Sequence, residues 1–261
     1  MPITTERQTM KQNKFPPGWD EKRVQRVIEY YENQTEDEAV AEDETRLNDE
    51  SVPFMDIPND AKSYYERGVV YYKKRQYEKA ITDFSEAIKL KPDYVEAYSN
   101  RAKAYVNIVN FDKAIEDYTK IIELNPKDVD AYYTRGKLYV EGNEYEKAIA
   151  DFSMAIKLDP EHADASGYHA MLHCEQGEYD KAIEGFSRKI ELRPHDAETY
   201  YERGKIYVKK GMYEKAIADF TEAIKLSPKF TDAYFARAMA YLRVDEMDAA
   251  MEDFDKISEL K

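Results

Sequence analysis

Cysteine, glycine and long apolar runs are what this sequence has least of. Its 261 residues include one cysteine, Cys174, which excludes an internal disulfide and fits a reducing, cytoplasmic compartment. No apolar run reaches the roughly 18 residues that a membrane-spanning helix requires. Met1 to Trp19 is polar and lacks the apolar stretch of a secretory signal, so no signal peptide is predicted. The nine glycines form no phosphate-cradling loop, and there is no nucleophile elbow or HExxH helix. Basic residues are also in deficit, with 39 Lys and Arg against 53 Asp and Glu and a formal net charge of -14. A chain of that sign offers no basic stripe to nucleic acid and is repelled by an anionic membrane surface. Catalysis is not expected, nor is any cofactor.

What is present is periodicity. From Ala61 to Lys261 a pattern of 34 residues recurs six times without a gap. Its landmarks are an aromatic, Arg-Gly or Arg-Ala, Tyr, Ala, an aromatic and Pro. The first copy carries Tyr64, Arg67-Gly68, Tyr71, Ala80, Phe84 and Pro92, and the third carries Tyr132, Arg135-Gly136, Tyr139, Ala148, Phe152 and Pro160. Tyr64, Tyr71, Ile81, Phe84 and Ile88 fall at helical spacing, with Pro92 stopping the second of two helices. Gly68 and Ala80 are small, as a close helix crossing requires.

This period and these landmarks resemble the tetratricopeptide repeat (TPR) family, whose unit is a helix-turn-helix hairpin. The resemblance implies an all-α protein, a right-handed α-solenoid of six hairpins over 61–94, 95–128, 129–162, 163–196, 197–230 and 231–261. A leader, residues 1–60, would precede it. It also implies protein binding, since TPR arrays usually hold other proteins.

The copies can be compared with one another. The seventh position reads Arg67, Arg101, Arg135, His169, Arg203, Arg237, and the twenty-third reads Asp83, Asp117, Asp151, Gly185, Asp219, Asp253. Arginine and aspartate occur together in five copies and are lost together in the fourth. Paired loss predicts ion pairs joining helices of one hairpin or of adjacent hairpins. The twenty-fifth position is Ser85, Thr119, Ser153, Ser187 and Thr221, then Asp255, and the twenty-eighth is isoleucine five times, then Ser258. Polar replacement there is what an outermost repeat needs, so the sixth copy is expected to be terminal.

In the family, first helices line a concave groove through their second, fifth, ninth, twelfth and thirteenth positions. Carried over, the groove would present Tyr65, Val69, Ser99, Lys103, Tyr133, Lys137, Met171, Tyr201, Lys205, Phe235 and Met239, with an acidic rim including Glu96, Asp130 and Glu198. Exposed tyrosines and lysines suit a peptide with apolar and acidic side chains. The carboxylate clamp of chaperone-binding TPR domains is not expected. Asn100 matches its second asparagine, but Tyr65, Val69, Asp130 and Thr134 stand where its other partners would be.

The fourth copy departs most, with Ser166, Gly167, His169, His173, Gly185 and Lys189. His169 and His173 share a helical face with Cys174 beside them, yet two histidines fall short of four zinc ligands. They are read as fillers of the arginine and tyrosine positions, and no metal is expected.

The leader has its own character, with eleven acids and one base, Arg46, between Glu32 and Asp60. A helix from Trp19 or Asp20 would gather Val24, Val27, Ile28 and Tyr31 on one face, and Thr35 with Glu38 would cap a second. The stretch from Phe15-Pro-Pro-Gly-Trp-Asp-Glu-Lys-Arg-Val through Glu44 resembles a short bacterial, antitoxin-like protein type. That resemblance implies a bacterial source and a basic toxin surface as partner. An acidic, partly disordered leader is the other reading. Two functions therefore stand: an adaptor binding a partner in the groove, or a toxin-neutralising regulator whose array targets or dimerises it.

Overall fold

The computed structural model describes residues 60–260, and these residues form twelve α-helices and no strands. The leader helices, the antitoxin-like segment and the docking of the leader lie outside the described residues. The first repeat folds as α1 (Ala61–Lys73) and α2 (Tyr77–Leu90), the second as α3 (Val95–Asn107) and α4 (Phe111–Leu124). The third is α5 (Val129–Glu141) and α6 (Tyr145–Leu158), the fourth α7 (Ala163–Glu175) and α8 (Tyr179–Leu192). The fifth is α9 (Ala197–Lys209) and α10 (Tyr213–Leu226), the sixth α11 (Thr231–Arg243) and α12 (Met247–Leu260). Each second helix packs on the first helix of the next repeat, giving an α-solenoid whose core runs from neighbour to neighbour.

Each hairpin turns at its fifteenth position, where the backbone enters the left-handed region in all six copies: Arg75, Val109, Asn143, Gly177, Gly211 and Asp245. Glycine, asparagine and aspartate accept this conformation, but a β-branched residue does not. Val109 is held at φ 59 with its side chain 71% exposed, so no packing compensates for the strain. Val109→Gly is expected to stabilise the protein by about 1 kcal/mol, raising Tm by roughly 2–4 °C. Calorimetry checks it, and an unchanged or lowered Tm would show the turn unstrained.

The helix crossing is set by a glycine and a ring. A Cβ added to Gly68 would lie 2.7 Å from Phe84 Cε1, one on Gly136 would lie 2.9 Å from Phe152 Cε1, and one on Gly204 would lie 2.6 Å from Phe220 Cε1. The small residue thus makes room for the aromatic of the second helix, and Ala80 is fully buried. Tyr64, Tyr71 and Ile81 are half-buried, unlike Phe84 and Ile88, which are buried.

A second period, of two repeats, overlies the first. The eighth position alternates strictly: Gly68, Ala102, Gly136, Ala170, Gly204, Ala238. The fifth reads Tyr65, Ser99, Tyr133, Gly167, Tyr201, Phe235, and the thirty-fourth Tyr94, Asp128, His162, Asp196, Phe230. In odd repeats the tyrosine leans on the ring at the inter-repeat turn, with centroids 5.0 Å apart for Tyr65–Tyr94, 4.6 Å for Tyr133–His162 and 4.9 Å for Tyr201–Phe230. In repeats two and four the aspartate instead caps the next helix, Asp128 accepting from Ala131 N at 2.9 Å and Asp196 from Thr199 N at 3.4 Å.

Candidate functional site

Five arginines anchor the array. In each, Nε and Nη2 donate to the two carboxylate oxygens of the aspartate sixteen residues on, at 2.6–2.9 Å, for Arg67–Asp83, Arg101–Asp117, Arg135–Asp151, Arg203–Asp219 and Arg237–Asp253. The two-point geometry fits guanidinium to carboxylate between the helices of one hairpin. The remaining Nη1 reaches backwards. Arg101 donates to Ser85 Oγ, Arg135 to Thr119 Oγ1, Arg203 to Ser187 Oγ and Arg237 to Thr221 Oγ1, at 2.9–3.0 Å. Each hydroxyl gives its own proton to a backbone carbonyl four residues earlier, leaving its lone pairs for the arginine. One side chain thus ties a hairpin together and to its predecessor. Asp255 stands where the first five copies carry that hydroxyl.

In the fourth repeat histidine does the backward half of this work. His169 Nε2 lies 3.0 Å from Ser153 Oγ, whose proton goes to Ile149 O, so the imidazole supplies the donor. His169 Nε2 is also 3.2 Å from His173 Nε2, and buried His173 places Nδ1 2.6 Å from Glu178 Oε2. The carboxylate half is gone because Gly185 stands at the aspartate position, where a Cβ would lie 2.8 Å from Ala170 Cβ and 3.2 Å from Ser166 O. Among the described residues no group of three or more His, Cys, Asp or Glu could hold a metal ion.

Burial, then the charges of His173 and Lys181, push His169 down to about 4, with Glu178 acting the other way. Histidine in an unfolded chain titrates near 6.5, so between there and about 4 the unfolded state binds the extra proton. This site therefore loses stability as pH falls through that window. His169→Gln should lose less stability than the wild type between pH 7 and 4.5 in urea titrations. Equal losses in the two proteins would remove His169 as the cause.

The face carried by the first helices is continuous. Asn100 Nδ2 donates to Tyr65 Oη at 2.8 Å, Asn107 Nδ2 to Tyr72 Oη at 3.2 Å, and Lys209 Nζ to Cys174 Sγ at 3.5 Å, each between successive first helices. On this face Lys103, Lys137, Met171, Phe235 and Met239 are exposed. Tyr65, Val69, Ser99, Tyr133, Tyr201 and Lys205 are not: all six are half-buried, which corrects the expectation of a free tyrosine row. The tyrosines are pillars, each wedged between the second-helix phenylalanine and the ring at the turn, as Tyr133 is between Phe152 and His162. Burial first, then Tyr168 and Asp164, push the Tyr133 hydroxyl up to about 12, so it stays a neutral phenol. Lys137 Nζ sits 5.5 Å from the Tyr133 ring centroid, and Lys205, 4.8 Å from that of Tyr201, is paired with Glu202 at 2.5 Å. Asn100, the clamp asparagine of chaperone-binding arrays, is engaged with Tyr65 instead.

Models of the TPR repeat match residues 70–108 and 172–211, and models of the tetratricopeptide repeat match 95–128, 129–162, 197–230 and 231–261. Together they take in 70–162 and 172–261, and the four tetratricopeptide repeat matches each coincide with one hairpin. The chain is a tetratricopeptide repeat protein. No curated protein matches the sequence. Among solved TPR structures, that of MamA is similar at 27% identity and TM-score 0.61, covering 64% of this chain and 91% of MamA. YrrB, described as a TPR protein with an unusual peptide-binding site, is similar at 24% identity and TM-score 0.61, covering 68% and 92%. The C-terminal part of a TPR repeat-containing protein from Cytophaga hutchinsonii reaches TM-score 0.66 at 23% identity, covering 75% and 78%. The TPR models match nothing before residue 70, and the antitoxin-like resemblance of the leader gains no support. Among the described residues no helix is long and apolar enough to cross a membrane.

Proposed function

We propose that this TPR protein is a non-catalytic adaptor, bacterial and cytoplasmic, that holds a peptide or protein segment against the groove lined by its first helices. The observation that carries this reading is the composition of that face. Lys103, Lys137, Met171, Phe235 and Met239 are open to a partner, while the tyrosines between them are fixed by ring contacts and form a rigid floor. A preorganised aromatic floor spares the ligand the cost of ordering it, and exposed thioether and phenyl groups offer apolar area. YrrB, with its peptide-binding site, has the same fold and supports this class of role.

The test compares the intact protein with a variant carrying Lys103→Ala, Lys137→Ala, Phe235→Ala and Met239→Ala. All four side chains are exposed, so the variant folds, which circular dichroism verifies. Proteins captured from bacterial lysate by the wild type should be lost from the variant. The same proteins retained in the same amounts would place binding elsewhere.

A further inference from the structure

Joints between consecutive repeats share one pattern. Position twenty-one of a second helix meets position ten of the next first helix. Ile115 shares a cluster with Leu138, Ile149 with Leu172, Ile183 with Ile206 and Ile217 with Ala240. The residue at position ten is buried in each of these joints. Beside this contact, Nη1 of the arginine at position seven reaches back to the hydroxyl at position twenty-five.

Each end of the array carries one half of that pattern. On α12, position twenty-one is Met251, 57% exposed where the isoleucines are half-buried, and position twenty-five is exposed Asp255. On α1, position ten is Val70, only half-buried, and position seven is Arg67. Among the described residues Arg67 donates through Nε and Nη2 alone, both to Asp83, so its Nη1 has no hydroxyl behind it. Its side chain keeps 27% of its surface in water, against 15–18% for the other four arginines. The two halves also differ in charge. α1 and the turn after it carry Lys62, Arg67, Lys73, Lys74 and Arg75 against Glu66. α12 carries Asp248, Glu252, Asp253, Asp255 and Glu259 against Lys256. Like ends brought together would repel, and unlike ends attract.

We propose that copies of this chain join head to tail, α1 of one copy docking on α12 of another where a seventh repeat's first helix would lie. Met251 of one copy then meets Val70 of the next, and Arg67 Nη1 of the next donates to Asp255. A carboxylate in place of the hydroxyl makes that bond charge-assisted and sensitive to salt. The contact is heterologous and continues the stacking of the repeats, so it adds copies along the solenoid instead of closing a pair. It does not rest on the groove reading.

Sedimentation velocity of the full chain from about 1 μM to 1 mM tests this. The mass should climb past that of two copies without a plateau, and fall back in about 1 M salt, where charges are screened within about 3 Å. Asp255→Arg sets a cation against Arg67 and should weaken association by about tenfold or more. Asp255→Ser restores the hydroxyl of the other copies and should keep most of the association while losing its salt dependence. The register is read by bis-maleimide crosslinking of Val70→Cys and Met251→Cys, each combined with Cys174→Ser and checked by circular dichroism. Mixed, the two variants should link to each other, and neither should link to itself. Single copies at every concentration, the result if the leader covers α1, overturn the proposal. So do links within either variant alone, an Asp255→Arg variant that assembles like the wild type, or an Asp255→Ser variant as impaired as Asp255→Arg.

Discussion

Replacing Asp151 by alanine should destabilise the protein by about 3–5 kcal/mol, towards the lower end because the Arg135 side chain keeps 15% of its surface in water. The deletion leaves a guanidinium between α5 and α6 with one neutral acceptor, Thr119 Oγ1, where it had a two-point carboxylate. Removing one member of a desolvated pair costs far more than the pair contributes, because the survivor remains buried and uncompensated. Glu144→Ala, which breaks the exposed Lys147–Glu144 pair of the same repeat, should change stability by about 0–1 kcal/mol. The array is one-dimensional, so the loss should be local first. Amide exchange should quicken in α5 to α7 before it quickens in α1 or α12. Urea unfolding with exchange read by mass spectrometry checks both points. A cost no larger than that of Glu144→Ala would mean that the pair is solvated and contributes nothing special.

Phe220→Ala should cost a similar amount, about 3–5 kcal/mol, by a different mechanism. The ring is fully buried, lies over Gly204 and supports the Tyr201 pillar at 5.8 Å between centroids. Alanine would leave a cavity that the glycine opposite cannot fill, since it has no side chain to move. The pillar loses its backing, so groove binding should weaken even at temperatures where the variant is folded. Phe254 occupies the same place in the sixth repeat but is only half-buried, so Phe254→Ala should cost distinctly less. Equal losses at the two positions would contradict this account of the seam.

The hairpins and the five ion pairs were legible in the sequence because six aligned copies stand in for an alignment: a residue pair lost together in the fourth copy marks a contact. The same comparison carries the two-repeat alternation at positions five, eight and thirty-four, yet its meaning depends on which rings touch across a turn, and sequence spacing does not give that. For the same reason Tyr65, Tyr133 and Tyr201 read as exposed groove residues when they are half-buried pillars. Position twenty-five read as a solvation signal, whereas the structure shows a hydroxyl placed for the next repeat's arginine. The left-handed fifteenth position is not legible in the sequence because Val109 and Arg75 share it with Gly177, Gly211 and Asn143, which alone would mark it. In the fourth repeat, Gly167 and Lys189 looked like separate departures and are one, a missing side chain filled by a neighbour's stem.

The central claim is that partners bind the first-helix face, and site-specific photocrosslinking tests it most directly. A benzophenone amino acid placed at Lys103 or Met239 on the first helices is compared with one at Glu116 or Ala218, exposed on second helices. In cells, crosslinked partner should form from positions 103 and 239 and be near background from 116 and 218. Adducts formed chiefly from 116 and 218 would contradict the account and move the binding surface to the opposite helices.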